Sequence, residues 1–363
     1  MTGVRVRERA TRSGGLRDLA RRFGRLGVGV AFPGVILLVV TWYARAYGNA
    51  GLQLRVTTFL VGVVMAVGLQ VFSGNTGIIS FGQMAFVGAG AYVSALMTMP
   101  PVIKGLQGLH LPANILKNSS IGFLPALIIA VAVVGVVAAL LAGPLLRLSS
   151  TSAVIGIFAL LLIALVVFDN WQSLTNGAAG IYGVPGNTTL WSAFALALIT
   201  ITVGRWFRDS AVGLQLQASR EDELAAAASG VRVRKLRAAA WVLGAMLSAV
   251  GGVLYAHELT AFSPTSFGLE PTFTVVVMVV IGGVMTVSGA VLGAGLVTIV
   301  TQGLLSFENK SVSLGFIHIG RLTGLSDLVL VILILLALYL RPEGLMGRKE
   351  LDEHILARFR RKR

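Results

Sequence analysis

The residues with the most chemistry to offer lie between Arg205 and Arg237, the only long charged segment inside a very apolar chain. There Arg220, Glu221, Asp222 and Glu223 stand just before an alanine run, Ala225 to Ala228. The pattern is that of a helix start. Ser219 reads as an N-cap, the acids suit the positive end of a helix dipole, and Leu224 and the alanines favour helix. Gly230 supplies the stop, and Arg232, Arg234, Lys235 and Arg237 follow near the negative end. A helix surfaced mostly with alanine buries little of its own. What it offers is close approach, so that a second protein packs directly on its backbone. The same stretch also reads as an ordinary polar loop between two spans, and the rest of the chain must decide.

Other chemistry is missing. There is no cysteine, hence no disulfide framework and no thiolate metal site. His110, His257, His318 and His354 are scattered without metal-ligand spacing. No GxxxxGK[ST] phosphate loop, GxSxG or HExxH occurs, so neither catalytic nor metal residues are assigned, and no cofactor is expected on this chain. Asp169, Glu258, Glu270, Glu308 and Asp327 all fall at the ends of apolar spans, which leaves no intramembrane proton relay. A translocation-like chain without its own energy site points to energy supplied by a partner.

The elements that position these residues follow from composition. Of 363 residues, 55% are hydrophobic and 12% charged, against about 25% charged in a typical soluble domain. The chain therefore reads as an all-α polytopic membrane protein. Apolar segments near 26–43, 56–72, 84–99, 121–146, 149–168, 189–204, 238–256, 271–287, 289–306 and 325–340 give about ten transmembrane helices, or eight to nine with some broken or re-entrant. Residues 1–25 form a basic N-terminal extension, 26–346 the transmembrane domain with the loop 205–237, and 347–363 a basic tail. The net charge of +15 clusters beside apolar spans, which argues for lipid contact and against nucleic acid. With the N-terminus inside, 24 of the 30 Lys and Arg residues fall on the inner side. Both termini and the 205–237 loop are accordingly expected in the cytoplasm.

Three segments depart from plain spans. Ser73–Ala91 carries Gly74, Asn75, Thr76, Gly77, Ser80, Gly82 and Gln83. It reads either as a broken helix on a solute path or as a short turn followed by a glycine-packed helix. Asp169–Asn187 is turn-rich, at Asn176-Gly177 and Val184-Pro185-Gly186, and reads as an external loop or a docking surface. Gly289 and Gly293 make a GxxxG pair that reads as tight helix packing.

Three stretches carry a family resemblance. SGNTGIISFGQMAFVGAGAY at 73–92 matches a glycine-rich signature at Gly74, Gly77, Ser80, Gly82, Ala85, Phe86, Gly88, Gly90, Ala91 and Tyr92. The second is the loop SREDELAAAASG with the helix after it, and the third is RPEGLMG at 341–347. The chain resembles the permease subunits of branched-chain amino acid ABC importers of the Liv type, and more closely the M-type of the two paralogous permeases. The resemblance implies a paired permease core, two ATPase subunits that bind the ATP, an extracytoplasmic solute-binding protein and a bacterial cytoplasmic membrane. It makes the Ser219–Gly230 helix the coupling helix, with Ser219, Arg220, Glu221, Asp222, Glu223, Ala225, Ala226 and Gly230 at the ATPase contact. Urea and short-amide permeases share these motifs, and transport of those solutes is the alternative; an autonomous ion-coupled carrier or channel, of a different class, is the remaining one.

Overall fold

Asn49 and Thr189 show how the spans begin: each side-chain oxygen accepts a hydrogen bond from a backbone N–H of the first turn. The computed structural model describes residues 12–109, 120–147, 150–308, 312–314, 317–319, 331–332, 339, 344–348 and 350. Its helices are α1 (Arg12–Tyr47), α2 (Ala50–Thr76), α3 (Gln83–Thr98), α4 (Pro101–Leu106), α5 (Phe123–Leu145), α6 (Ser150–Asn170) and α7 (Gln172–Thr175). They continue with α8 (Leu190–Asp209), α9 (Ala211–Glu221), α10 (Glu223–Ala228), α11 (Val233–Leu259), α12 (Leu269–Gly282) and α13 (Val287–Glu308). Two 3-10 turns, Gly177–Ala179 and Pro264–Phe267, are also present, with two short antiparallel pairs: β1 (Ile181–Tyr182) with β2 (Ala261–Phe262), and β3 (Val312–Leu314) with β4 (Ile317–Ile319).

Among the described residues, 8 helical segments are long and apolar enough to cross a membrane. The segment expected near 84–99 is the 16-residue α3, shorter than a plain span needs. The candidate at 325–340 lies almost wholly outside the described residues. Glu308 ends α13, whereas Gly344 touches Gly283 beside its start, so these two residues lie at opposite ends of the bundle. Asp169, Glu258, Glu270 and Glu308 stand at or next to helix termini, as the sequence requires of acids in an apolar chain.

The centre is α2, 89% of whose apolar window is buried, with α11, α8 and α13 packed on it and α3 packed on α11 in turn. Outermost is α6, with 17% buried, whose exposed Ile155, Ile163 and Val166 suit lipid. Small residues let the central helices meet at backbone distance. A Cβ on Gly90 would meet the Ala249 carbonyl oxygen at 2.6 Å.

The GxxxG pair does the same for the α12–α13 hairpin. A Cβ on Gly293 would collide with the Met278 carbonyl oxygen and with backbone atoms of Gly282. Gly293→Leu is therefore expected to cost about 3 kcal/mol through overpacking against backbone that cannot yield. Thermal unfolding of the purified chain in detergent checks this, and a wild-type midpoint would mean that the two helices do not meet so closely.

The helices alternate in direction. At one end gather the middle of α1, the α8–α11 corner and residues 344–348 and 350: Gly29 faces Arg205, and Leu345 donates its N–H to the Ile281 carbonyl. This basic end holds the candidate site.

Candidate coupling site

The corner is built by successive caps. Ser210 ends α8 and caps α9, its hydroxyl accepting the Gly213 N–H at 3.2 Å. Asp222, in extended backbone, caps α10 by accepting the Ala225 N–H at 2.9 Å. Gly230, at φ +85°, stops α10 in a left-handed conformation that suits glycine.

The helix boundary expected at Ser219 is therefore corrected. Ser219 lies inside α9, buried, with its hydroxyl donating to the Leu216 carbonyl. An interruption of the helix at Asp222 makes two short helices where one was expected. The cause is the Asp222 carboxylate, which offers the chain a cap three residues further on than Ser219.

α10 is fixed to α11 by one bidentate ion pair. Arg237 donates from Nη1 and Nη2 to the two Glu223 carboxylate oxygens at 3.1 and 2.8 Å. Ala226 is 8% exposed and packs into its own chain, so it cannot be the methyl presented outward. Leu224 is 84% exposed at the same corner. The sequence reading valued Leu224 only as a helix former. Its direction depends on how Glu223 and Ala226 pin the other face, which no local pattern reveals. Ala225 and Gly230 are exposed beside it.

The two stretches singled out separately in the sequence are joined here. Arg220 donates from Nη1 to the Gly74 carbonyl at 2.9 Å. Gln217 donates from Nε2 to Asn75 Oδ1 at 3.2 Å and to the Arg208 carbonyl at 3.1 Å. The Arg220 stem lies over Gly77, which ends α2 at φ +75°. A Cβ on Gly77 would meet Arg220 Cγ at 2.5 Å.

The irregular stretch is narrower than expected. Gly74, Asn75 and Thr76 are the last turn of α2, and only residues 77–82 leave the helix before α3 starts at Gln83. Ser80 is held there by its N–H, which donates to Ser73 Oγ at 3.1 Å. Gly74, Asn75, Thr76, Ser80, Gly82 and Gln83 are buried in the chain and Gly77 is exposed. The carboxamides of Gln70 and Gln83 are buried without a hydrogen-bond partner among the described residues, an arrangement expensive enough to mark a polar spot in the bundle.

At the opposite end, Asp169–Asn187 is an ordered cap. Asn176 and Gly177 turn at φ +60° and +55°, and β1 pairs with β2. Val184 donates its N–H to the Thr260 carbonyl, and His257 Nδ1 lies 2.7 Å from the Pro185 carbonyl oxygen. Tyr92, Phe168 and Phe262 stack beneath it, with ring centroids 4.9 and 5.1 Å from Tyr92. Beside the cap, burial pushes the Lys104 ammonium below the usual lysine range.

The chemistry of the basic end is mechanical: a short exposed helix braced on α11, with α9 joining it to the turn between α2 and α3. The family profile described as "Branched-chain amino acid transport system / permease component" matches residues 51–338. The chain belongs to this family. It is similar to the high-affinity branched-chain amino acid transport system permease protein LivH of Salmonella typhimurium, 24% identical over 313 residues, 80% of this chain and 92% of that one. It is also similar to LivM of Escherichia coli, 23% identical over 348 residues, 86% of this chain and 73% of that one. LivH of Methanocaldococcus jannaschii, a probable branched-chain permease, is 23% identical over 304 residues, 78% and 88% of the two chains. Both Liv types match at near-equal identity, so the family is shown without a preference for the M-type. No solved structure matches the chain. The span shared with the permease family takes in the α2–α3 turn, α9 and α10, and stops short of residues 344–350.

Proposed function

We propose that this chain is the membrane-spanning permease subunit of an ATP-binding cassette importer for branched-chain or other apolar amino acids. The observation that carries this reading is the family match across residues 51–338. In this reading the chain pairs with a paralogous permease in a bacterial cytoplasmic membrane. α10 docks on an ATPase subunit, which binds the ATP, and a binding protein delivers solute to the opposite end. Leu224, Ala225 and Gly230 face the ATPase. Glu223 and Asp222 hold α10 in place, and Ser219, Arg220 and Glu221 belong to the α9 arm behind it. The segment Gly74–Gln83, with Asn75, Thr76, Gly77, Ser80 and Gly82, responds to that arm and opens or closes the path. The gathering of the 205–237 loop and residues 344–348 and 350 at one basic end, beside Gly29 of α1, supports placing that end inside.

Two measurements test the reading. Deleting the gene is expected to abolish ATP-dependent uptake of labelled leucine and to leave urea uptake unchanged; the reverse result replaces the amino-acid reading with the amide one. A cysteine placed at the exposed Gln215, in a chain without native cysteine, is expected to react with an impermeant thiol reagent only in inverted vesicles. Labelling in intact cells would reverse the orientation.

A further inference from the structure

Glu350 is a carboxylate from the tail, 1% exposed, in the middle of the basic end. It accepts the N–H groups of Val287 and Ser288 at 2.9 and 3.2 Å, and the Ser288 hydroxyl as well. These are first-turn donors of α13, which the helix itself cannot satisfy. The same carboxylate pairs with Arg205 Nη1 at 3.1 Å and Arg208 Nε at 3.4 Å. Both arginines are nearly buried, at 4% and 9% side-chain exposure; Arg208 stands in the last turn of α8, where helix polarity favours cations, and Arg205 just before it. Asp209, at 29%, meets the two arginines from the more open side.

The residues before Glu350 bind the other arm of the hairpin. Leu345 and Met346 donate their N–H groups to the carbonyls of Ile281 and Gly282, the last turn of α12. Gly344 turns at φ +78° against Gly283. Residues 344–346 and Glu350 thus tie together the end of α12, the start of α13 and the end of α8. α8 runs through Ser210 into α9, whose Gln217 and Arg220 hold the α2–α3 turn.

The geometry points to Glu350 as a positioning residue for transport: its carboxylate makes the α12–α13 hairpin move as one body with the α8–α9 arm. This rests on the coupling reading of α9 and α10. Arg208 also donates directly to the Met285 carbonyl at 3.1 Å, so loss of Glu350 loosens the joint without severing it.

The test uses the assembled complex in nanodiscs, with Glu350→Gln and Glu350→Asp. Glutamine keeps the shape, but its NH2 group cannot accept from Val287, Ser288 or the arginines. Aspartate keeps the charge. The Glu350→Gln complex is expected to copurify with its ATPase subunits and hydrolyse ATP. Its leucine uptake per ATP should fall about tenfold, and protection of the Val287 and Ser288 amides from hydrogen exchange should fall about 10- to 100-fold, as for loss of charge-assisted hydrogen bonds. Glu350→Asp should recover part of both. Unchanged amide protection overturns the proposal whatever becomes of the coupling reading. Equal loss of assembly in both variants, or wild-type uptake per ATP in Glu350→Gln, overturns the positioning role. Failure of the wild-type chain to copurify with ATPase subunits overturns the coupling reading instead, and is distinguished by leaving the protection change intact.

Discussion

Leu224→Asp is expected to release the ATPase subunits of the proposed complex on purification, while the chain itself folds as before. Leu224 is 84% exposed, so the substitution removes almost no packing within the chain. α10 keeps its shape, because its cap comes from Asp222 and its anchor is the Glu223–Arg237 pair. Burying a leucine side chain in a partner contributes about 1.5–3 kcal/mol, which is roughly 10- to 150-fold in association. A carboxylate in the same groove adds the cost of desolvating a charge. Copurification in detergent measures the effect. Wild-type recovery of the ATPase subunits would mean that α10 is not the docking element. Ala226→Trp is a poorer probe: Ala226 is buried in its own chain, so a bulky ring there displaces α10 before any partner is met.

Arg220→Ala is expected to do the opposite, leaving the ATPase subunits bound and lowering uptake about tenfold or more. The guanidinium donates to the Gly74 carbonyl at 2.9 Å across 146 residues of sequence, joining α9 to the end of α2. A hydrogen bond from a charged group is worth about 1.5–3 kcal/mol. Its loss leaves Gln217 as the remaining side-chain link to Asn75. Arg220→Lys keeps a donor and should recover part of the uptake. Uptake in vesicles, normalised to copurified ATPase, is the measurement, and wild-type uptake in Arg220→Ala would show that the α2–α3 turn works independently of α9.

The spans were legible because apolar length dictates them: the helices observed at 50–76, 123–145 and 190–209 cover the apolar segments near 56–72, 121–146 and 189–204. Gly289 and Gly293 were legible for the same kind of reason, since only close backbone contact explains paired glycines in an apolar helix. The internal division of the charged loop was not. Ser219 and Asp222 are both competent caps within three residues, and the choice was made by Ser219 being drawn into the packed face of α9. Arg220, Gln217 and Glu350 gain their roles from contacts 62 to 146 residues away, which no local pattern carries. The polar stretch at 74–83 was visible as irregular, but its position at the basic end depends on where α2 stops.

α11 reaches from the Arg237 pair at the basic end to β2 and the His257 contact at the other. At 27 residues it is a rod of about 40 Å. It is held near both tips by polar bonds and along its length by α2 and α3, so in the proposed coupling it would serve as a lever with its fulcrum in the bundle. A tilt of about 3° moves each tip by about 1 Å. Under the proposed coupling, a tilt of that size directed along the 2.7 Å His257–Pro185 contact would take it beyond hydrogen-bonding distance and so carry a push on α10 to the cap at the far end.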